Sequence, residues 1–186
     1  MSFTWTAHRF AGGVLALDVA NSIILRADPV RRIDRFTDAA AIDSFAEAAN
    51  RFGAESARFG VLAPVAAENR AGLLRLREAT DRHFRALVSA EGRPAYLADL
   101  LEAVAAVLRS SPQVEGALPL DTATAQSALS LAAGPEPERL KICPNCGWLF
   151  LDRSRNRSRT WCDMAVCGNR NKARLHYQRN REDAGR

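Results

Sequence analysis

Cysteine occurs four times in this chain of 186 residues, as Cys143-x2-Cys146 and, fifteen residues later, Cys162-x4-Cys167. Thiolates are soft ligands, and four of them at about 2.3 Å from one ion make a tetrahedral zinc site. The first pair lies in the knuckle Cys143-Pro144-Asn145-Cys146-Gly147, whose Pro and Gly suit a tight turn. The second pair is spaced by four residues rather than the commoner two, still within the range of structural sites. Two disulfides or a redox Cys-x-x-Cys are the rival readings. The N-terminus MSFTWTAHRFAGG lacks the basic run and apolar core of a secretory signal, so a cytoplasmic chain with reduced thiols is expected. No βαβ pattern surrounds the knuckle, which argues against redox chemistry. Four protein thiolates leave no open position for water, so one structural rather than catalytic zinc per chain is expected.

Charge follows the cysteines. Residues 138–186 carry 12 Lys+Arg against 5 Asp+Glu, whereas residues 1–137 carry 14 against 16. Four zinc-bound thiolates return about −2 to the basic module, which stays positive. A basic module beside a near-neutral domain points to an acidic polymer, nucleic acid before membrane. No run of about eighteen apolar residues exists, so no membrane span is expected.

Arg153, Arg155, Arg157 and Arg159 fall on every second residue and in an extended segment project to one side. They sit between Trp148-Leu149-Phe150-Leu151-Asp152 and Thr160-Trp161-Cys162, which reads as a hairpin with a basic tip. From Cys167 onward the chain is rich in helix formers and basic residues. Arg170, Arg174, Gln178 and Arg181 form one row whose like charges repel, as on a face paired with something external. Guanidinium groups match phosphate oxygens in pairs. Asn169, Arg170, Lys172 and Arg174 are the candidates to reach base edges, and the four loop arginines the candidates for phosphates.

The elements that must hold this module lie before Gly134-Pro135-Glu136-Pro137, a helix-breaking connection. This divides the chain into residues 1–134 and a finger at 138–183. Phe3, Trp5 and Ala7 alternate with threonines as in a strand, and residues 14–25 fit either strand or helix. Arg32–Phe36 suggests a short edge strand. A helix capped by Thr37 or Asp38 ends at Gly53, and a second runs from Pro64 to Gly92. A third follows Pro94 with Leu97, Leu101, Val104 and Leu108 inward, and a weaker fourth spans 121–132. Asp18 and Asn21 share a helical face, where they either cap a neighbour or bind a small ligand. His8, His83, Arg31 and Arg32 read as surface or structural residues, and His176, with the zinc shell already filled by cysteines, reads as facing a phosphate or solvent. No phosphate loop, Ser/His/Asp set or paired carboxylate motif is present, so no enzyme activity is expected.

The string Cys167-Gly168-Asn169-Arg170, with Cys143-Pro144-Asn145-Cys146 and Phe150-x-Asp152-x-Ser154-Arg155-Asn156 before it, resembles the bacterial CGNR zinc finger over residues 140–180. Leu15-Ala16-Leu17-Asp18-Val19-Ala20-Asn21-Ser22 is similar to the opening motif of the ABATE domain that precedes such fingers, with Ser22 where a threonine is common. The resemblance implies an α+β protein: a mainly helical ABATE-like domain followed by a small treble-clef-type finger. It implies a stress-induced transcription regulator that binds DNA and senses an unidentified small ligand. An RNA-binding or protein-interaction module with a purely structural zinc is the alternative. It requires Trp148, Phe150 and Trp161 to be available for stacking.

Overall fold

Six residues form the hub of the molecule. Helix α1 (Leu15–Ala20) is buried at every position, and its first N–H groups are satisfied by tertiary partners rather than by a cap of its own. Glu55 accepts from the Leu15 N–H at 2.8 Å and the Ser127 hydroxyl accepts from Ala16 at 3.0 Å. A computed structural model describes residues 3–134 and 137–184 of the chain; Pro135 and Glu136 of the expected connection lie outside the described residues.

Against α1 pack α4 (Arg70–Val88) and α6 (Leu120–Ala132), and α5 (Pro94–Ser110) packs on both of these. The helix expected from Pro64 begins six residues later. Val65 is buried, and a single 3-10 turn at Ala67–Asn69 precedes α4. In α5 the buried face is Leu100, Val104 and Val107, while Leu97, Leu101 and Leu108 are exposed. Apolar residues cover most of that helix's circumference, so periodicity alone does not choose the inward face; packing on α4 and α6 does.

A second layer holds α2 (Ala39–Phe52), capped by the Asp38 carboxylate accepting from Ala40 N–H at 2.9 Å, and the short α3 (Ser56–Phe59). The expected N-terminal strand is absent: residues 3–6 lead into a 3-10 turn at Ala7–Phe10. Their alternating aromatics feed a cluster instead. Trp5 packs edge-on against Phe45 at 4.8 Å and Phe36 at 5.9 Å, and its indole N–H donates to Ala41 O at 2.9 Å. The sheets are small. Strands β1 (Ile23–Ile24) and β2 (Ile33–Asp34) pair antiparallel, and β3 (Leu62–Ala63) pairs parallel with β4 (Leu118–Pro119). Strands β5 (Leu140–Ile142) and β6 (Leu149–Leu151) form an antiparallel hairpin, and α7 (Asn169–Ala184) closes the chain.

Across the expected 134/138 boundary the hydrophobic core is continuous. Leu140 and Leu149 of the β5–β6 hairpin are buried with Val14, Leu17, Leu76, Phe84 and Leu100. Polar contacts reinforce the join: Leu151 N–H donates to Gly12 O at 2.8 Å, and the Trp148 indole to Ile23 O at 3.0 Å.

Candidate metal centre and basic face

The β5–β6 hairpin turns through Cys143–Gly147, so the strands flank the first cysteine pair. Cys143 N–H donates to Trp148 O and Gly147 N–H to Cys143 O, each at 2.8 Å. Gly147 has φ +73°, a left-handed conformation that glycine adopts without strain. The hairpin expected between residues 148–152 and 160–162 is not formed, because β6 is already paired with β5 and residues 152–160 fold as a loop. The wider Cys162-x4-Cys167 spacing is met by a π turn at Met164–Gly168. Asp163 caps it, accepting from Val166 N–H at 3.2 Å. At Gly168 a Cβ would meet the end of the Met164 side chain, which would have to swing aside.

The four sulfurs lie within 4.8 Å of one another, with Cys146–Cys162 at 3.6 Å and Cys162–Cys167 at 3.7 Å. A tetrahedron with zinc–sulfur bonds of about 2.3 Å has edges of about 3.8 Å, so the set fits one zinc ion. All four are free thiols, too far apart for disulfides. Cys143, Cys162 and Cys167 are buried, and Cys146 is half-buried. Hydrogen bonding from the sulfurs of Cys146 and Cys162 pulls the Cys143 thiol down, while the same crowding pushes Cys162 up and Cys146 up to about 12. Four sulfurs this close hold four negative charges together only around a cation.

Asp152 organises the basic loop. Its carboxylate is fully buried and accepts from Lys141 Nζ at 2.7 Å, from Ser154 Oγ and N–H at 2.6 and 2.9 Å, and from Arg159 N–H at 2.9 Å. Burial pushes its pKa up, but the hydrogen bonds from Lys141 and Ser154 outweigh that and hold it well below the usual carboxylate range. The loop is therefore a ring of turns about one carboxylate, not an extended ribbon, and its arginines diverge. Arg159 folds inward to the carbonyls of Trp161 and Cys162, with its guanidinium 5.1 Å from the Phe150 ring centroid. Arg157 sits at φ +52° and reaches Glu138 at 2.5 Å. Arg153 and Arg155 are exposed. The expectation of four parallel arginines is corrected accordingly.

Helix α7 carries the other basic residues. Asn169, Arg170, Lys172 and Arg174 are all exposed; Asn169 donates to Ala165 O at 3.0 Å, and Arg174 to Asn171 Oδ1 at 2.9 Å.

The two residues expected to cap a neighbour or meet a ligand are buried inside the join. Asn21 is only 4 % exposed; its amide nitrogen donates to Leu149 O at 2.8 Å and its amide oxygen accepts from Leu149 N–H at 3.1 Å. Asn21 thus pairs with β6 as a strand would, and its side chain is spent there. Asp18 accepts from Gly12 N–H at 2.8 Å through one oxygen; the other is buried without a partner, and burial drives its pKa well up. Ser22 accepts from Arg77 at 3.2 Å. The polar residues of the string at 15–22 therefore brace α1 and the finger. Sequence reasoning missed Asp152 as loop organiser, Arg85 donating to Gly147 O at 2.9 Å, and His8 at 2.9 Å from Asp163. The Ser154 spacing after Asp152, an Asx-turn pattern, was the one local signal among them.

The geometry defines a four-cysteine zinc finger seated on a helical unit. Residues 139–180 match the CGNR zinc finger, so this segment is such a finger, able to bind one zinc ion. No curated protein matches the chain. Among the described residues no helix is long and apolar enough to cross a membrane.

Proposed function

We propose that this protein is a DNA-binding transcription regulator that acts by binding rather than catalysis, its treble-clef-type finger docking on duplex DNA. The observation that carries the reading is α7. From Asn169 to Arg181 every described side chain except Asn171 is exposed, and Arg170, Lys172, Arg174, Arg179 and Arg181 lie along this stretch. A helix whose described side chains stay so exposed gains little from burial, so its order draws on its anchor and on what it meets. Cations at its first turn also oppose the helix dipole, a cost that a bound phosphate offsets. Zinc supplies the anchor by joining the knuckle, the π turn and the start of α7.

The RNA-stacking alternative loses its platform, since Trp148 and Phe150 are 2 % and 0 % exposed and Trp161 is half-buried. We read residues 1–134 as an ABATE-like sensor. A cavity of about 250 Å³ supports this, walled by Val14, Phe84 and Leu131 and by Leu140 and Leu151 of the finger. The DNA reading is tested by measuring duplex affinity of the zinc-loaded protein against salt. Log affinity is expected to fall by about 0.9 per phosphate for each unit of log salt, and selection from random duplexes should enrich one sequence. An absence of duplex binding at low salt overturns it.

A further inference from the structure

A half-buried guanidinium without an acceptor gives up hydration for nothing in return, and folded proteins rarely leave one so. The half-buried or buried arginines described here mostly obey. Arg26 meets Glu78, Arg70 meets Asp43, Arg77 meets Asp34 and Arg85 meets Asp81, while Arg139 and Arg159 meet backbone carbonyls. Arg9 and Arg35 do not. Both are half-buried, neither reaches a carboxylate or a carbonyl among the described residues, and Arg35 Nε is buried without any hydrogen bond.

Aromatic rings hold them in place. Arg35 Cζ lies 4.2 Å from the Phe3 ring centroid; Arg9 Cζ lies 5.7 Å from Phe3 and 5.4 Å from Trp148. A ring face orients a guanidinium but satisfies none of its five N–H donors as a planar anion would. The pair is also fixed to the finger. His8, next to Arg9, sits 2.9 Å from Asp163, the cap of the π turn that leads into α7. Burial lowers the Arg9 pKa, and the charges of Arg35 and of Arg170 in α7 lower it further against the opposing pull of the Cys146 sulfur, so the cations gather at the edge of the metal centre. The sulfur of Cys146 tempers this repulsion through space, but among the described residues no acceptor meets the guanidinium N–H groups, and such donors fit an oxyanion that arrives from outside.

We propose that Arg9 and Arg35 form a phosphate clamp through which the N-terminal unit grips the DNA backbone next to the finger. This rests on the DNA reading above. The clamp positions the duplex and carries no base discrimination.

The test compares duplex binding across a salt series for the full zinc-loaded chain and for Arg9→Gln, Arg35→Gln and the double variant, with zinc content and melting measured alongside. The slope of log affinity against log salt is expected to become shallower by about 0.9 per arginine removed, with preferred and random duplexes weakened by the same factor. Zinc content and melting temperature should not fall. If a glutamine variant does melt lower, Arg9→Lys and Arg35→Lys decide, because they keep the charge: wild-type slopes support the clamp, and shallow slopes with native melting overturn it. A wild type that binds no duplex removes the DNA reading itself. A wild type that binds, with a double variant of unchanged slope, overturns the clamp alone. An unchanged slope combined with stabilisation of only the wild type by inorganic phosphate assigns the cluster to a free anion and equally overturns it.

Discussion

Replacing Asn21 with alanine separates a brace from a ligand contact. The Asn21 amide holds both backbone groups of Leu149, at 2.8 and 3.1 Å, in a place where Asn21 is 4 % and Leu149 0 % exposed. Alanine cannot replace either bond, and water does not reach the vacated groups freely. Leaving one buried donor or acceptor unpaired costs about 1–3 kcal/mol, so two together cost about 2–6 kcal/mol. That is a large part of the about 5–15 kcal/mol by which domains are stable. Urea unfolding followed by far-UV circular dichroism, with zinc release read by a chromophoric chelator, measures it. The expected result is a lower midpoint for both signals, because Leu149 belongs to the core of α1, α4 and α5 as well as to the finger. Asn21→Asp should be at least as harmful, since it turns the donor facing Leu149 O into an acceptor. A loss below about 0.5 kcal/mol, the ordinary range for surface changes, refutes the bracing role and returns Asn21 to the candidate ligand contacts.

Other outcomes follow from the same geometry. Chelation should remove one zinc per chain by elemental analysis and lower the melting temperature of the whole chain; a helical signal that melts unchanged without metal would show that the shared core contributes nothing. Asp18→Asn should raise stability at neutral pH. The folded state keeps the Asp18 proton to higher pH than the unfolded chain, so the native residue loses stability as pH rises, and the variant's advantage should vanish below about pH 4 in a melting series. Arg159→Ala should destabilise the finger, whereas exposed Arg155→Ala should leave melting unchanged and flatten the salt dependence of duplex binding by about 0.9; equal effects of the two on melting contradict the divergent loop. Replacing Arg170 or Arg174 should narrow the gap between preferred and random duplexes by about 1–3 kcal/mol if that residue reads a base, measured by competition binding.

What was legible in the chain were the features whose cause is local. Cysteine spacing specifies a knuckle and a turn, so the metal site could be read from positions 143, 146, 162 and 167 alone. Asp38 as a cap, Gly53 as a stop and Pro94 as a first helical residue act within one turn, and the helices there begin and end accordingly. What misled was pattern without context. Phe3, Trp5 and Ala7 alternate as a strand does, yet Trp5 and Phe10 are claimed by an aromatic cluster with residues from α2. The arginines at 153–159 alternate too, but a buried carboxylate at 152 coils their loop.

By itself the sequence determined a helical unit, a four-thiolate zinc site and a basic C-terminal helix, because spacing, caps and charge are properties of neighbours along the chain. Tertiary structure alone decided how finger and helices belong together. Leu140 and Leu149 complete a core that Val14 and Leu17 begin, Asn21 stands in for a strand against β6, and Arg9 and Arg35 come to lie beside Trp148 and Phe3 with no carboxylate or carbonyl to accept from them among the described residues. Such pairings depend on which faces meet once apolar surface leaves water, and no local preference encodes that choice.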